Sequence, residues 1–413
     1  MTESDEASRT AERVARESYG RLVAFLAART RDVASAEDAL AEAFAAALKN
    51  WPRDGIPDNP AAWLLTAARR RQTDALRRRQ TQIAGEEHLQ LMAEEIDAAA
   101  ASPEPIPDRR LALMFACAHP AIEAQMRTPL ILQTVLGLSA EAIAAAFLIP
   151  PATMGQRLVR AKARIRDAGI PFRIPERDEL PERLDAVLAA IYAAYTRGWE
   201  EMEPDGPTRL ADEAIWLGRL IVDLLPGEPE AKGMLALMLY TEARREARRD
   251  AEGLYVPLDE QDTGLWDDSR IEAAENLLHA ANRGGPSGRY QIEAAIQSAH
   301  IAGRLHGIDN RRVILALYDA LLAMTGSPVV ILNRAVVLAD LSGPAAALAE
   351  IAPLAEGKRM ASYQPYWAVL GHLAAECGDT ERAHEAFTLA IGLSADPAVR
   401  TYLARRLATL RQG

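Results

Sequence analysis

The chain has 413 residues and a formal net charge of −11, long enough for two to four domains with cores of their own. Its only cysteines, Cys117 and Cys377, give no disulfide framework and fit a reducing compartment. No apolar signal segment or run near the ~20 residues of a membrane span is seen, so a cytoplasmic protein without a membrane anchor is expected. Alanine is abundant and strand formers are sparse, with 5% aromatic residues, which predicts an all-α protein. The acidity is uneven: residues 1–175 hold 23 Lys+Arg and 22 Asp+Glu, whereas residues 176–413 hold 24 and 36. The first part can approach a polyanion, and the second is suited to protein partners.

In chain order, apolar residues recur at helical spacing from Ala11 to about Ala28 (Val14, Tyr19, Leu22, Val23, Leu26), predicting a first helix. Ser35–Asp38 matches a capping box that would open a second helix. Its buried stripe is predicted as Leu40, Phe44, Ala47, Leu48 and Trp51, with Glu37, Asp38 and Glu42 away from it, either solvated or facing a basic partner. After the proline-rich PRDGIPDNP loop a third helix starts near Pro60, with six arginines between residues 69 and 79. Trp63, Thr66, Arg70, Thr73 and Arg77 share one side, joining an aromatic face to cations, which is what unpaired DNA requires. The alternative is a basic helix end that is merely solvated.

Residues 81–107 read as a linker, acidic and alanine-rich with SPEPIP at its end. A new helical unit opens at Asp108. Its Cys117 and His119 lack a second ligand pair, so no metal site is expected. Residues 138–166 read as two short helices and a tight turn: Ser139 caps the first, Pro150 breaks it and Pro151 starts the second. On that second helix Met154, Leu158, Ala161 and Ile165 form one stripe, while Thr153, Gln156, Arg157, Arg160 and Arg164 form a separate arc. Arginine and glutamine can bond base edges and phosphates, so this arc has the chemistry of a major-groove reader.

Beyond Pro175, helices are predicted at about 181–199, 208–224, 229–248, 269–282 and 290–304. The acidic, non-helical stretch around Asp259–Asp268 lacks the spacing of a calcium loop. Residues 364–397 carry Trp367, Leu370, Gly371, Ala383 and Phe387 at the spacing of a tetratricopeptide (TPR) hairpin, with Ala374 where an aromatic is usual. Residues 311–356 look like earlier hairpins of the same stack. No phosphate-binding loop, nucleophile elbow or H-E-x-x-H is present, so no catalytic residue, cofactor or enzymatic activity is expected.

Taken in order, AEDALAEAF (36–44), NPAAWLLTAARRRQTDALRRR (59–79), LALMFACAHP (111–120) and GLSAEAIAAAFLIPPATMGQRLVRAKARIRDAGIPFRIP (137–175) resemble regions 2 and 4 of extracytoplasmic-function (ECF) sigma factors. These belong to the sigma-70 superfamily, and the subgroup in question carries a C-terminal TPR-like extension, echoed here by DEQDTGLWD, GRYQIEAAI and SPVVILNRAV. The resemblance implies a region 2 helical bundle over 1–80, a linker over 81–107, a region 4 helix-turn-helix over 108–175 and an acidic TPR-like extension over 176–413. It also implies contacts from Asp38 and Glu42 to the β′ clamp helices of bacterial core RNA polymerase, and a further contact with the β flap. In promoter DNA, Trp63, Thr66, Arg70, Thr73 and Arg77 would hold the melted −10 element and Thr153, Gln156, Arg157, Arg160 and Arg164 would read the −35 element. A protein partner of the extension is expected too. Ala41 stands where the family usually has glutamine, Arg70 where it has asparagine, and Thr263 where the subgroup often has arginine. Competing readings are a helix-turn-helix regulator that works without polymerase and a TPR-type scaffold.

Overall fold

A computed structural model describes residues 6–11, 33–80, 108–167, 175–200, 210–283 and 287–410, together with Val14, Tyr19, Leu22, Val23, Phe25 and Leu26. The predicted linker at 81–107 lies outside the described residues, as do the side chains of 74–80. Among the described residues every regular element is helical, apart from one isolated bridge between Arg249 and Tyr255. Among these residues no single helix is long and apolar enough to cross a membrane.

The chain divides into two compact units, residues 1–217 and 218–413. In the first, α1 (Val33–Asp54) packs against α2 (Pro60–Gln80). Leu40, Ala43, Ala47 and Trp51 on α1 are buried, as are Val14, Leu22, Val23 and Leu26 of the preceding segment. Two expectations fail here. Helix α1 is already formed at Val33, so Ser35 and Asp38 lie inside it instead of opening it; the alanines around Ser35 favour the earlier start. Leu48 is 48% exposed, because the packed stripe follows 40, 43, 47 and 51 and leaves position 48 on its edge.

The remainder of the first unit comprises α3 (Arg109–Cys117), α4 (Ala124–Thr134), α5 (Ala140–Ala146), α6 (Pro151–Asp167), α7 (Leu180–Glu200) and the start of α8 (Leu210–Leu224). Asp108 caps α3, accepting from the N–H groups of Arg110 and Leu111 at 2.9 Å each. Helix α7 packs on α3 and α4. The Thr128 hydroxyl donates to the Ala186 carbonyl at 3.2 Å and the buried Arg183 donates to the Phe115 carbonyl at 3.3 Å. The chain just beyond residue 176 therefore completes the first unit's core.

The second unit is a succession of neighbouring helices: α9 (Pro229–Glu242), α10 (Asp268–Ala281), α11 (Arg289–His306), α12 (Arg311–Thr325), α13 (Pro328–Ser342), α14 (Pro344–Ile351), the short α15 (Lys358–Ala361), α16 (Gln364–Glu376), α17 (Thr380–Leu393) and α18 (Pro397–Thr409). One core cluster gathers Ile292, Ile296, Ile314, Leu321, Val330 and Val337; another gathers Phe387, Ala390 and Leu403 around α17 and α18. The predicted 364–397 hairpin is present as α16 and α17. Gly371 lets them close up, since a Cβ there would lie 3.0 Å from the Phe387 ring. Gly233 has the same role between α9 and α11, where a Cβ would lie 2.7 Å from the Gln291 backbone nitrogen.

The acidic stretch after α9 is irregular, as expected, but firmly held. The Asp267 N–H donates to Ala243 at 2.9 Å and Arg304 donates to the Gln261 carbonyl at 2.8 Å. Tyr255 meets Tyr402 edge to face at 5.4 Å, and Arg249 pairs with Asp396. Nearby, burial and the Arg244 guanidinium push the His300 pKa down to about 4.

Two outcomes follow from this packing. Gly233→Ala forces α9 and α11 apart and lowers stability by about 1–3 kcal/mol in urea denaturation. His300 has an ordinary pKa near 6.5 when unfolded, so the unfolded chain takes up the proton first as pH falls. Stability then drops between pH 6.5 and 4, by about 2–3 kcal/mol for this group; a His300→Gln variant loses that part of the pH dependence in the same assay.

Candidate nucleic-acid interface

The two arginine-bearing surfaces both lie in the first unit, and each is set by local backbone chemistry. For α6, the Ser139 hydroxyl caps α5 by accepting from the Ala142 N–H at 3.1 Å. The turn runs through Leu148 at φ 51, a left-handed conformation rare outside glycine. Pro150 then blocks continuation and Pro151 restarts the helix, so α5 and α6 meet at a bend of 111°, within the range of a DNA-binding helix-turn-helix. Met154 and Leu158 are buried and anchor α6, with Ala161 and Ile165 half-buried beside them.

That anchoring leaves the predicted arc facing outward: Gln156, Arg157, Arg160 and Arg164 are exposed and Thr153 is half-buried. A cleft of about 240 Å³ opens between the 121–126 segment and the side of α6 that bears these three arginines. Glu123 lies 3.8 Å from Arg164 across it. Both side chains are mostly exposed, so water weakens the pair and Arg164 stays available to a phosphate.

On α2, Asn59 caps the start by accepting from the Ala62 N–H at 3.1 Å, and Pro60 is the first helical residue. Trp63 is half-buried, while Thr66, Arg70 and Thr73 are exposed along one side. Both threonine hydroxyls donate back to their own helix, Thr66 to Ala62 at 2.8 Å and Thr73 to Arg69 at 2.9 Å. Their oxygens therefore remain as acceptors for a ligand, but their protons are committed. The side chain of Arg77 lies outside the described residues. Other arginines of the run have internal work: Arg69 lies 4.4 Å from the Phe25 ring centroid and Arg71 pairs with Glu42.

Two features carry no signal in the local sequence pattern. Trp51 is 3% exposed and meets Trp63 edge to face at 5.6 Å, so Trp63 leans on a fixed aromatic wall. Glu37, expected on the open face with Asp38 and Glu42, is instead buried and its carboxylate accepts from the Lys162 ammonium of α6 at 2.6 Å. Its partner is 125 residues away in sequence, which helical periodicity cannot report. Asp38 and Glu42 are exposed as expected. Burial, reinforced by the charges of Glu37 and Asp38, raises the nearby Tyr19 pKa to about 12. Burial also pushes the Cys117 thiol up. His119 accepts from the Ala121 N–H through Nδ1 at 3.1 Å, and among the described residues no group of three or more His, Cys, Asp or Glu is placed to hold a metal ion.

The arrangement offers two separate cationic surfaces, one beside an aromatic ring and one on the second of two short helices joined by a tight turn. Comparison with known proteins agrees with the first of these: residues 14–82 match the model of sigma-70 region 2, and residues 183–282 match a family of unknown function, DUF6596. An uncharacterized protein of Rhizobium meliloti (strain 1021) is 40% identical over 388 residues, covering 91% of this chain and 90% of its own length. No solved structure matches.

Truncating the wall behind Trp63 tests the geometry. Trp51→Ala is expected to lower stability by about 3–5 kcal/mol in thermal or denaturant unfolding, whereas Leu48→Ala stays within about 0.5 kcal/mol because its site is exposed.

Proposed function

The region 2 match makes the chain a sigma-70 family factor, and from that premise we propose that it is an ECF-type sigma factor whose two cationic surfaces engage the two promoter elements while its acidic second unit meets protein. A sigma-70 family factor acts in transcription initiation, with core RNA polymerase and promoter DNA as its partners. The finer assignment rests chiefly on one observation: Trp63, Thr66, Arg70 and Thr73 lie side by side within the segment that matches sigma-70 region 2.

In this reading the −10 element is held by α2. A duplex buries its base faces in the stack, so only a melted strand can lay a base against Trp63. Stacking there, with Arg70 and Arg77 drawing the backbone, lowers the free energy of the open state relative to the duplex. Opening then needs no hydrolysis, because binding selects the unstacked conformation. Helix α6 reads the −35 element: Gln156, Arg157 and Arg160 address base edges, and Thr153 and Arg164 address phosphates or edges at the rim. The exposed Asp38 and Glu42 are the acidic contact for the β′ clamp helices, and region 4 meets the β flap.

The second unit, counted from residue 176 by sequence and from residue 218 by packing, is a TPR-like stack that regulates the factor or helps it bind polymerase. Its helix pairs, the Gly371–Phe387 approach and its acidic surface support this reading, since phosphate repels it and protein does not.

The experiment is permanganate mapping of unpaired thymines in promoter complexes formed with core polymerase. Trp63→Ala is expected to cut thymine reactivity around −10 at least about tenfold while promoter occupancy persists, the loss corresponding to one stacked base at about 1–3 kcal/mol. Arg157→Ala with Arg160→Ala is expected to reduce occupancy itself and to relax sequence preference at the −35 element, by about 1–3 kcal/mol per lost base contact. Full opening by Trp63→Ala rejects the assignment of α2 to the melted strand.

A further inference from the structure

The second unit is acidic, yet one turn of it is strongly basic. Just after α9, residues 244–249 hold four arginines, at 244, 245, 248 and 249. Arg244 and Arg245 are buried, and Arg248 and Arg249 are half-buried. A guanidinium keeps its charge at any working pH, so gathering several of them inside a protein is costly unless anions lie among them.

Glu242 lies 2.6 Å from Arg245, and Asp396, just before α18, pairs with Arg249. Arg244 donates to the neutral amide of Gln297 on α11 at 2.7 Å. The other three guanidinium groups converge on a phenol. Tyr255 stands opposite Arg249 in the isolated bridge, and the Val256 N–H donates to the Arg248 carbonyl at 2.9 Å, which fixes the two short segments side by side. Burial raises the Tyr255 pKa, and Arg248, Arg244 and Arg249 act against that rise. Burial, together with the charges of Arg249 and Arg245, lowers the pKa of Arg248. Arg249 also has a donor in reserve: while its Nη2 holds Asp396, its Nη1 is buried and has no hydrogen-bond partner among the described residues. A buried donor left unmade is unfavourable, so the cluster is built for one more acceptor.

A compact dianion with several acceptor oxygens suits these groups. A phosphoryl group takes charge-assisted bonds from arginine forks and one more from a phenol. A nucleic acid does not suit the place, because Glu246, Asp250, Glu252, Asp259 and Glu260 are exposed around it and repel an extended polyanion along its length.

We propose that Arg244, Arg248, Arg249 and Tyr255 form a binding site for a small phosphate-bearing molecule, held between the arginine turn and the start of α18. The turn and α18 lie near the two ends of the second unit in sequence, so the ligand ties those ends together and stabilises the unit. The acidic unit thereby responds to a small molecule, whatever the first unit does with DNA.

Thermal unfolding and titration calorimetry of the full chain test this. The probes are inorganic phosphate, pyrophosphate and ATP at about 0.1–5 mM, with ionic strength held by sodium chloride and sodium acetate as the control anion. At least one probe is expected to bind saturably and to raise the wild-type midpoint by about 2 °C or more. Arg248→Gln is expected to weaken that binding at least about tenfold, yet to leave the midpoint without probe unchanged or higher, because crowding of like charges is relieved. Tyr255→Phe is expected to weaken binding about 3- to 10-fold by removing one donor, and it decides alone if Arg248→Gln does not fold. Binding of ATP without binding of inorganic phosphate identifies a nucleotide as the ligand, and the converse identifies free phosphate. If no probe raises the wild-type midpoint beyond acetate, or if the variants bind the probes as wild type does, the site is refuted and the cluster serves packing alone.

Discussion

The turn from Phe147 to Pro151 is the constraint on which the geometry of the arginine-bearing face of α6 depends. A left-handed leucine followed by two prolines cannot continue α5, so the chain must restart in a new direction, and the 111° bend decides which side of α6 faces inward. Once Met154 and Leu158 are committed to the core, the arginines at 157, 160 and 164 have nowhere to point but outward. A local backbone requirement thus becomes a cationic surface, with hydrophobic burial supplying the free energy and the guanidinium groups left for a ligand.

Charge is managed differently in α2, where arginines are dense. Arg69 lies against Phe25 and Arg71 pairs with Glu42, which relieves like-charge repulsion and fixes two stems, while Arg70 stays outward beside Thr66 and Thr73. Trp63 is half-buried between these groups and the wall formed by Trp51. A ring so placed loses little conformational freedom when a base stacks on it. The second unit answers another physical problem: an acidic stack of helices must bury enough apolar surface to hold together against its own charge. It does so through close helix approach at Gly233 and Gly371 and by pairing its buried charges, as in the 2.6 Å contact of Arg245 with Glu242.

What was legible in the sequence was periodic or local. The buried stripes of α1 and α6, the Ser139 cap, the helical start at Asp108, the Pro151 start and the 364–397 hairpin depend on residues within a few turns of one another, and short-range spacing reports them. The Ser35 capping signal misled because the same residues are also compatible with an uninterrupted helix, and packing selected the longer one. Leu48 misled because several stripes are available on a helix so rich in alanine. Glu37 was illegible for a deeper reason: a carboxylate followed by alanines looks solvated until a lysine from another helix is brought against it, and the same holds for the Trp51 ring behind Trp63. The segments 36–44 and 59–79 carried the family, since they lie within the residues that match sigma-70 region 2; the contact of α1 with α6 came only from the three-dimensional structure.

The central claim is that this chain directs core RNA polymerase to promoters. The most direct measurement is run-off transcription with purified core polymerase, preferably from the source organism, on pooled genomic promoter fragments. The account predicts discrete start sites that appear only when the full chain is added. Absence of any specific transcript, with the same polymerase active on a control factor, would contradict it.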